Sequence, residues 1–597
     1  VSSAEKKLSR KEELQRALQV IVLRSKGIFP FSVFFRFLYA FAEWLFIRFT
    51  LASQRSIGVD CVESIYLRRG GGRSELVAGA SDLDFFVVLK TISAQQEMLF
   101  LKEFWRRYGI WRNWLPFLGE TLMGDRNELE NWFQTGCVRA YETKFSWKHL
   151  WGAETLRAIE APLAPDLRDI FSECLKCYWA LLQPVLKLQD ENLGTGLKAA
   201  SYGAAQLRHG VKAALDLFRL HYASTLAPAE AERIYRVSRQ ELLRILPKQF
   251  GENLGQFENL LALRDPLFTK VAFDVFAELI HSSFLALDEI SARLEKEKEP
   301  LTGENWEVRY HSRKGAEDPY SLSVRELFAE RLLFRHGSIL KRAILSENTA
   351  HMYFPTEGLP PKEELRAFLL DLRDVSFSLD RFSVPMPLTE RCFKQLEKTS
   401  LLDTPFHSFY SHKELRCRED GSIEGSSYVS PTPALPLSML RKTFAELSFM
   451  LRLQPQPEQF AYFLEKIFTL ALSLRLSYSE GKIVTDFSSA LELFSEKYPA
   501  RSGHLRQEIV AFMHLEDSEE KQLWSELEKL VGAFSKHDIS RATFLQLELQ
   551  RLRNERQLRK NSKTLATDMW INLTPFLRME MNAVKDRCFP IRPSLRL

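Results

Sequence analysis

The stretch Tyr66 to Lys90, YLRRGGGRSELVAGASDLDFFVVLK, holds the residues whose types and spacing best suit chemistry. Asp82 and Asp84 are two positions apart, so in an extended strand they point to one side while Leu83 and Phe85 point to the other. Two like charges presented together cost electrostatic energy unless a cation sits between them, and hard carboxylate oxygens suit Mg²⁺ bridging to a triphosphate. Gly70, Gly71 and Gly72 would let backbone amides approach a phosphate without obstruction. The same residues also make a solvated strand edge beside a flexible hairpin. The order of strand, glycine turn, carboxylate pair and apolar FFVV run favours the chemical reading.

Around these residues the pattern predicts a small α/β unit. Gly58 opens it, Cys61 to Arg69 alternates as a strand, Leu83 to Leu89 is a buried strand, 93–107 a helix and Trp114 to Met123 a third strand. Upstream, 5–24 reads as a charged helix, Lys26-Gly27 and Pro30 mark a break, and Phe31 to Ala52 is a strongly aromatic helix. From about 160 the pattern is helical, with predicted helices over 166–189, 196–222, 228–246, 255–294, 323–346, 363–379, 437–452, 456–478, 486–496, 502–533 and 540–560. Breaks fall at 296–322 and at the proline-rich 380–436, and no fixed-period repeat is visible. The expected class is α+β, a small mixed-sheet domain followed by large, predominantly α-helical domains. The expected divisions are amino-terminal helices at 1–54, the mixed-sheet domain at 55–150, a helical closing domain at 151–300, a mixed helical and irregular domain at 301–430 and a helical domain at 431–597.

Composition limits the alternatives. Across 597 residues, 82 Lys and Arg against 77 Asp and Glu leave a net charge of +5, too little to mark a general nucleic-acid binder. Seven cysteines, odd in number and scattered, fit a reducing compartment, and with no signal-peptide pattern the expected location is cytoplasmic. The 44 Phe exceed what solubility needs, so core, interface or membrane-surface burial must use them. Residues 31–52 carry Arg36, Glu43 and Arg48, which makes a spanning helix a poor reading and leaves a core helix or a peripheral membrane or partner contact.

The segment resembles the nucleotidyltransferase superfamily that includes DNA polymerase beta, on its glycine turn, spacer of about ten residues and Asp-x-Asp strand. Gly58 to Leu67, GVDCVESIYL, is similar to that family's first strand, and ELENWFQTG at 128–136 to the close of its catalytic domain. The resemblance implies a third carboxylate, best matched by Glu120 in PFLGETLM, with Asp125 in reserve. It implies Asp82, Asp84 and Glu120 as catalytic residues and ligands of Mg²⁺ or Mn²⁺, and Gly70, Gly71, Gly72, Arg73, Ser74 and Ser81 as contacts for ATP or another nucleoside triphosphate. It further implies transfer of a nucleoside monophosphate to an acceptor hydroxyl on RNA, protein or a small molecule, with release of pyrophosphate. The run Arg69 to Gly72 lacks the serine that commonly follows the motif glycine. The alternative expectation is therefore a degenerate member acting as a nucleotide-binding or protein-interaction scaffold through its helical domains.

Other motifs add little. Cys174 and Cys177 form a lone CxxC, the 12 His make no ligand cluster, and no phosphate-loop or nucleophile-elbow pattern occurs. Basic residues gather at 551–563 and at Arg325, Arg331, Arg335, Lys341 and Arg342, as solvated helix faces or as contacts for RNA phosphates.

Overall fold

The apolar run Leu83–Leu89 lies at the centre of a sheet. The computed structural model describes residues 28–68, 81–115, 117–160, 164–187, 197–247, 273–297, 319–346, 352–376, 385–399, 412–418, 422–428 and 437–453. It adds scattered positions, among them Arg73, Glu75 and a few between 471 and 499. Strands β1 (Val62–Leu67) and β2 (Leu83–Leu89) pair antiparallel, β3 (Leu118–Asp125) lies parallel to β2, and β4 (Lys148–Gly152) runs antiparallel to β1, in the order β3-β2-β1-β4. Every residue of β2 is buried, as expected of an interior strand covered on both faces.

Two helices cover one face of this sheet. Helix α1 (Phe31–Ser56) turns Phe35, Tyr39, Ala42, Phe46 and Phe49 inward at helical spacing, and the Phe46 ring stacks on Phe85 with centroids 3.7 Å apart. Gln54 accepts the backbone N–H of Val62 at 2.8 Å, tying the end of α1 to the start of β1. The parallel β2–β3 pair needs a crossover, supplied by α2 (Ala94–Trp114), which begins at a reciprocal Ser93–Gln96 capping box. On the other face, helices α3 (Arg126–Gln134) and α4 (Val138–Ser146) lead to Trp147, whose ring lies 4.9 Å from Phe86. Short helix α5 (Thr155–Ala158) follows β4.

The helical part comprises α6 (Leu167–Lys187), α7 (Leu197–Ala223), α8 (Pro228–Arg236), α9 (Arg239–Ile245), α10 (Phe273–Lys296) and α11 (Pro319–Arg335). Helix α6 packs along α7 and α10, and α7 passes α6 closely at Gly210, where a Cβ would stand 3.0 Å from the Pro184 ring.

A second sheet corrects the reading of 301–430 as helical and irregular. Strands β5 (Arg342–Ser346), β6 (Met352–Thr356), β7 (Pro385–Thr389), β8 (His412–Cys417) and β9 (Ile423–Tyr428) stand in the order β7-β6-β5-β8-β9, with α12 (Lys362–Ser376) between β6 and β7 and α13 (Glu390–Thr399) after β7. The helix predicted over 323–346 stops at Arg335, and its last five residues are β5. Prolines disguised β6 and β7. Pro385 and Pro387 lie in β7, an edge strand, where two N–H groups on the unpaired side are not needed. Pro355 lies beyond Met352 and Tyr353, the residues of β6 that pair with β5.

The chain divides into two compact units, Val1–Asn305 with Lys314–Ala445, and Trp306–Arg313 with Glu446–Leu597. Both sheets belong to the first. Helix α14 (Leu437–Met450) runs through the division, and in the second unit Leu472, Leu476, Leu493 and Phe494 form a buried cluster. The predicted helix at 5–24, most of those beyond 455 and the basic run 551–563 lie outside the described residues. Among the described residues no helix is long and apolar enough to cross a membrane.

Candidate functional site

The carboxylates come together at the opening of the β2–β3 pair. Register joins Leu83 to Leu118 and Phe85 to Thr121, so β3 carries one extra residue opposite Asp84. This bulge places Gly119 and Glu120 against one aspartate, and bulges re-aim side chains where pairing begins. The Glu120 N–H donates to Asp84 Oδ1 at 2.8 Å. A Cβ on residue 119 would stand 2.2 Å from Asp84 Oδ1 and 3.1 Å from the Asp82 Cβ, so only glycine admits this approach. Asp84 is 9 % exposed, whereas Asp82 and Glu120 are open to solvent.

Neighbouring elements hold the two strand ends. The Tyr39 hydroxyl of α1 donates to the Ser81 carbonyl, and the Tyr108 hydroxyl of α2 to the Gly119 carbonyl. Burial lifts the Tyr108 phenol to about 12, so it stays protonated and keeps donating. The Arg68 N–H donates to the Asp84 carbonyl at 2.7 Å, and its guanidinium meets Glu120 Oε2 at 2.9 Å while lying over the Trp147 ring at 5.7 Å. Three carboxylates around one strand opening are the right kind of donor for a hard divalent cation. Their present arrangement directs Glu120 to Arg68, and among the described residues no group of three or more His, Cys, Asp or Glu is placed to hold a metal ion.

Of the predicted phosphate contacts, Arg73 and Ser81 are among the described residues. Gly70, Gly71, Gly72 and Ser74 lie outside the described residues, and Ser81 is held at its carbonyl by Tyr39. Arg73 is 8 % exposed; its Nε donates to the Tyr235 carbonyl at 2.7 Å and its Nη2 meets Glu142 at 3.0 Å. Glu75, two residues on, accepts the Arg239 N–H at 2.7 Å, pairs with the Arg239 guanidinium and lies 3.4 Å from Arg219. Asp216 holds the same two arginines, at 2.6 Å and 3.1 Å. Burial works to raise the Asp216 carboxyl, and Arg239 and Arg219 hold it below the usual range. Nearby, burial pulls the Lys212 ammonium down to about 7, helped by Arg208 and Arg239, and Arg208 falls to about 10 for the same first reason. Gly72 is thus followed in sequence by two side chains, Arg73 and Glu75, anchored in the helical part.

Sequence reasoning missed these partners, although a signal was present. Arg208, Lys212, Asp216 and Arg219 recur at helical spacing along α7, a charged stripe that is packed inward. Arg68 and Gly119 also escaped notice.

Asp125 accepts the Glu128 N–H at 2.8 Å as the cap of α3. Cys174 and Cys177 sit in α6, where burial raises both thiols well above their usual range, against thiolate chemistry. Arg325 is buried, Arg335 pairs with Asp371 at 3.1 Å and Arg342 pairs with Glu390 and Glu414, while Arg331 and Lys341 are exposed. No family model matches this chain, and no curated protein or solved structure matches it either.

Proposed function

We propose that residues 58–152 form a nucleotidyltransferase centre that moves a nucleoside monophosphate from ATP or another triphosphate to an acceptor hydroxyl. The observation that supports it best is the bulged opening of β2 and β3, which gathers Asp82, Asp84 and Glu120 around a glycine whose Cβ would press on Asp84. Asp82 and Asp84 would hold Mg²⁺ or Mn²⁺, and the bound ion would neutralise charge on the triphosphate and on the transferring phosphoryl group. Tyr39 and Tyr108 fix the backbone on either side of the carboxylates, so little reorganisation is needed during the reaction. Glu120 faces the solvent side, where an acceptor hydroxyl would approach. RNA, protein and small-molecule acceptors all meet this description.

A second reading has its own observation. The Arg68–Glu120 ion pair neutralises the third carboxylate, and a site kept in that state would serve a nucleotide-binding or protein-interaction scaffold. Pyrophosphate release from labelled triphosphates, with and without Mg²⁺, separates the two. Turnover abolished by Asp82→Asn with Asp84→Asn supports transfer, and turnover enhanced or unchanged by that pair sinks it. Nucleotide binding without turnover under any acceptor leaves the scaffold reading in place.

A further inference from the structure

One face of α1 closes the core and the opposite face carries aromatics to the surface. Val33, Phe34, Phe37, Phe41 and Trp44 fall on a single stripe and are all exposed, Phe37 at 69 % and Trp44 at 50 %. At a rise of about 1.5 Å per residue the stripe runs roughly 17 Å, and Phe29, 80 % exposed, lies just before the helix. The stripe cannot rotate inward, because Phe46 and Phe49 on the other side are already committed to Phe85, Phe104 and Tyr108. Soluble proteins rarely expose a contiguous patch of this kind unless something covers it.

Charge identifies the cover. The same exposed surface continues into Arg48 and Arg55 and is flanked by Arg36, all three exposed, and the Arg48 guanidinium lies over the Trp44 ring at 5.3 Å. Glu43, the helix's one acid, is turned aside to Lys148 at 2.9 Å. The exposed face is therefore aromatic and cationic with no carboxylate. Residues 1–27 contain seven Lys or Arg against three Glu, so that segment, or a second copy of this face, would bring cation against cation. An anionic lipid surface supplies both complements, an apolar layer for the rings and phosphate charge for the guanidiniums.

We propose that α1 docks in the plane of an anionic membrane surface through Val33, Phe34, Phe37, Phe41 and Trp44, with Arg36, Arg48 and Arg55 at the level of the lipid phosphates. The opposite face stays in the protein core, so the helix lies on the bilayer and does not span it. The proposal stands independently of any nucleotidyl transfer.

The test is flotation of the full chain with vesicles of phosphatidylcholine alone and of phosphatidylcholine mixed with phosphatidylglycerol. Binding to the mixed vesicles is expected, weakening as salt rises. Phe37→Ser with Phe41→Ser should lower partitioning about tenfold or more, and Arg36→Gln and Arg48→Gln about fivefold each. These side chains are exposed, so thermal unfolding should not change. Trp44 emission should shift to shorter wavelength on binding, a change absent from Trp44→Phe. Failure to float with either composition overturns the proposal, as does flotation indifferent to both sets of substitutions. A concentration-dependent dimer that the Phe37 and Phe41 changes dissociate would overturn it in favour of a second copy.

Discussion

The two sheets of the first unit share a connectivity and differ at the head of the second strand. In each, a first strand pairs antiparallel with the next, a helix crosses to a third strand parallel to the second, and a later strand returns antiparallel to the first. The second residue of β2 is Asp84, and its counterpart in β6 is Tyr353, 1 % exposed; the second residue of β3 is Gly119, and its counterpart in β7 is Met386. The connection after β1 spans 68–82 and sends Arg73 and Glu75 into the helical part, whereas that after β5 spans only 347–351. One topology therefore supports an open acidic mouth or a closed apolar one. What separates them is a bulge, a glycine and a long loop, which is why function is argued from the site and not from the fold.

Substitutions that convert features of the first sheet test this contrast. The largest effect is expected from Asp82→Asn with Asp84→Asn, which should cut nucleotidyl transfer roughly 10³-fold, about 4 kcal/mol, with little change in urea unfolding. Tyr353→Phe in the second sheet should leave turnover alone, and equal losses in both assays would erase the distinction between the sheets. Next is Glu75→Gln, which strips charge compensation from Arg219, fully buried beside it. About 3 kcal/mol of stability should disappear in urea unfolding, and an unchanged midpoint would mean the loop is not anchored as described.

Gly119→Ala is smaller and more local. Its Cβ must displace Asp84 Oδ1, so a cost of about 2 kcal/mol is expected, with Mg-nucleotide binding lost before the fold is; calorimetric titration would reveal undiminished affinity if the glycine were incidental. The smallest effect involves Lys212, whose ammonium burial holds at about 7 against 10.5 in the open chain. Between those values the unfolded chain binds a proton that the folded chain does not, so stability falls as pH drops through this window and levels off below it. Lys212→Met should therefore raise stability by about 1 kcal/mol near neutrality and below, with the gain fading at strongly alkaline pH. A gain that grows with pH would reverse the argument.

Much of the first sheet was legible because its signals are local. The FFVV run predicts β2 to the residue, and the apolar spacing of 166–189 predicts α6 within two positions at each end. The carboxylate pair was equally plain. The bulge was not, since nothing in PFLGETLM marks Gly119 and Glu120 as sharing one partner. Arg73 illustrates the limit for charged residues: a side chain that reads as a phosphate ligand is occupied by Tyr235 and Glu142, and the Tyr235 carbonyl lies far along the chain. The second sheet was lost because its first three strands are only five residues long and two of them carry prolines, so periodicity had too few positions to register.

The Tyr39 hydroxyl, described above as a prop for the Ser81 carbonyl, also makes α1 a mechanical part of the carboxylate strand. Its ring stacks on Phe117 with centroids 4.8 Å apart, next to the start of β3, so one side chain touches the approaches to both acidic strands. A rigid ring on a well-packed helix acts as a lever of fixed length. A shift of α1 would therefore reach, a single side chain later, the residue that precedes Asp82.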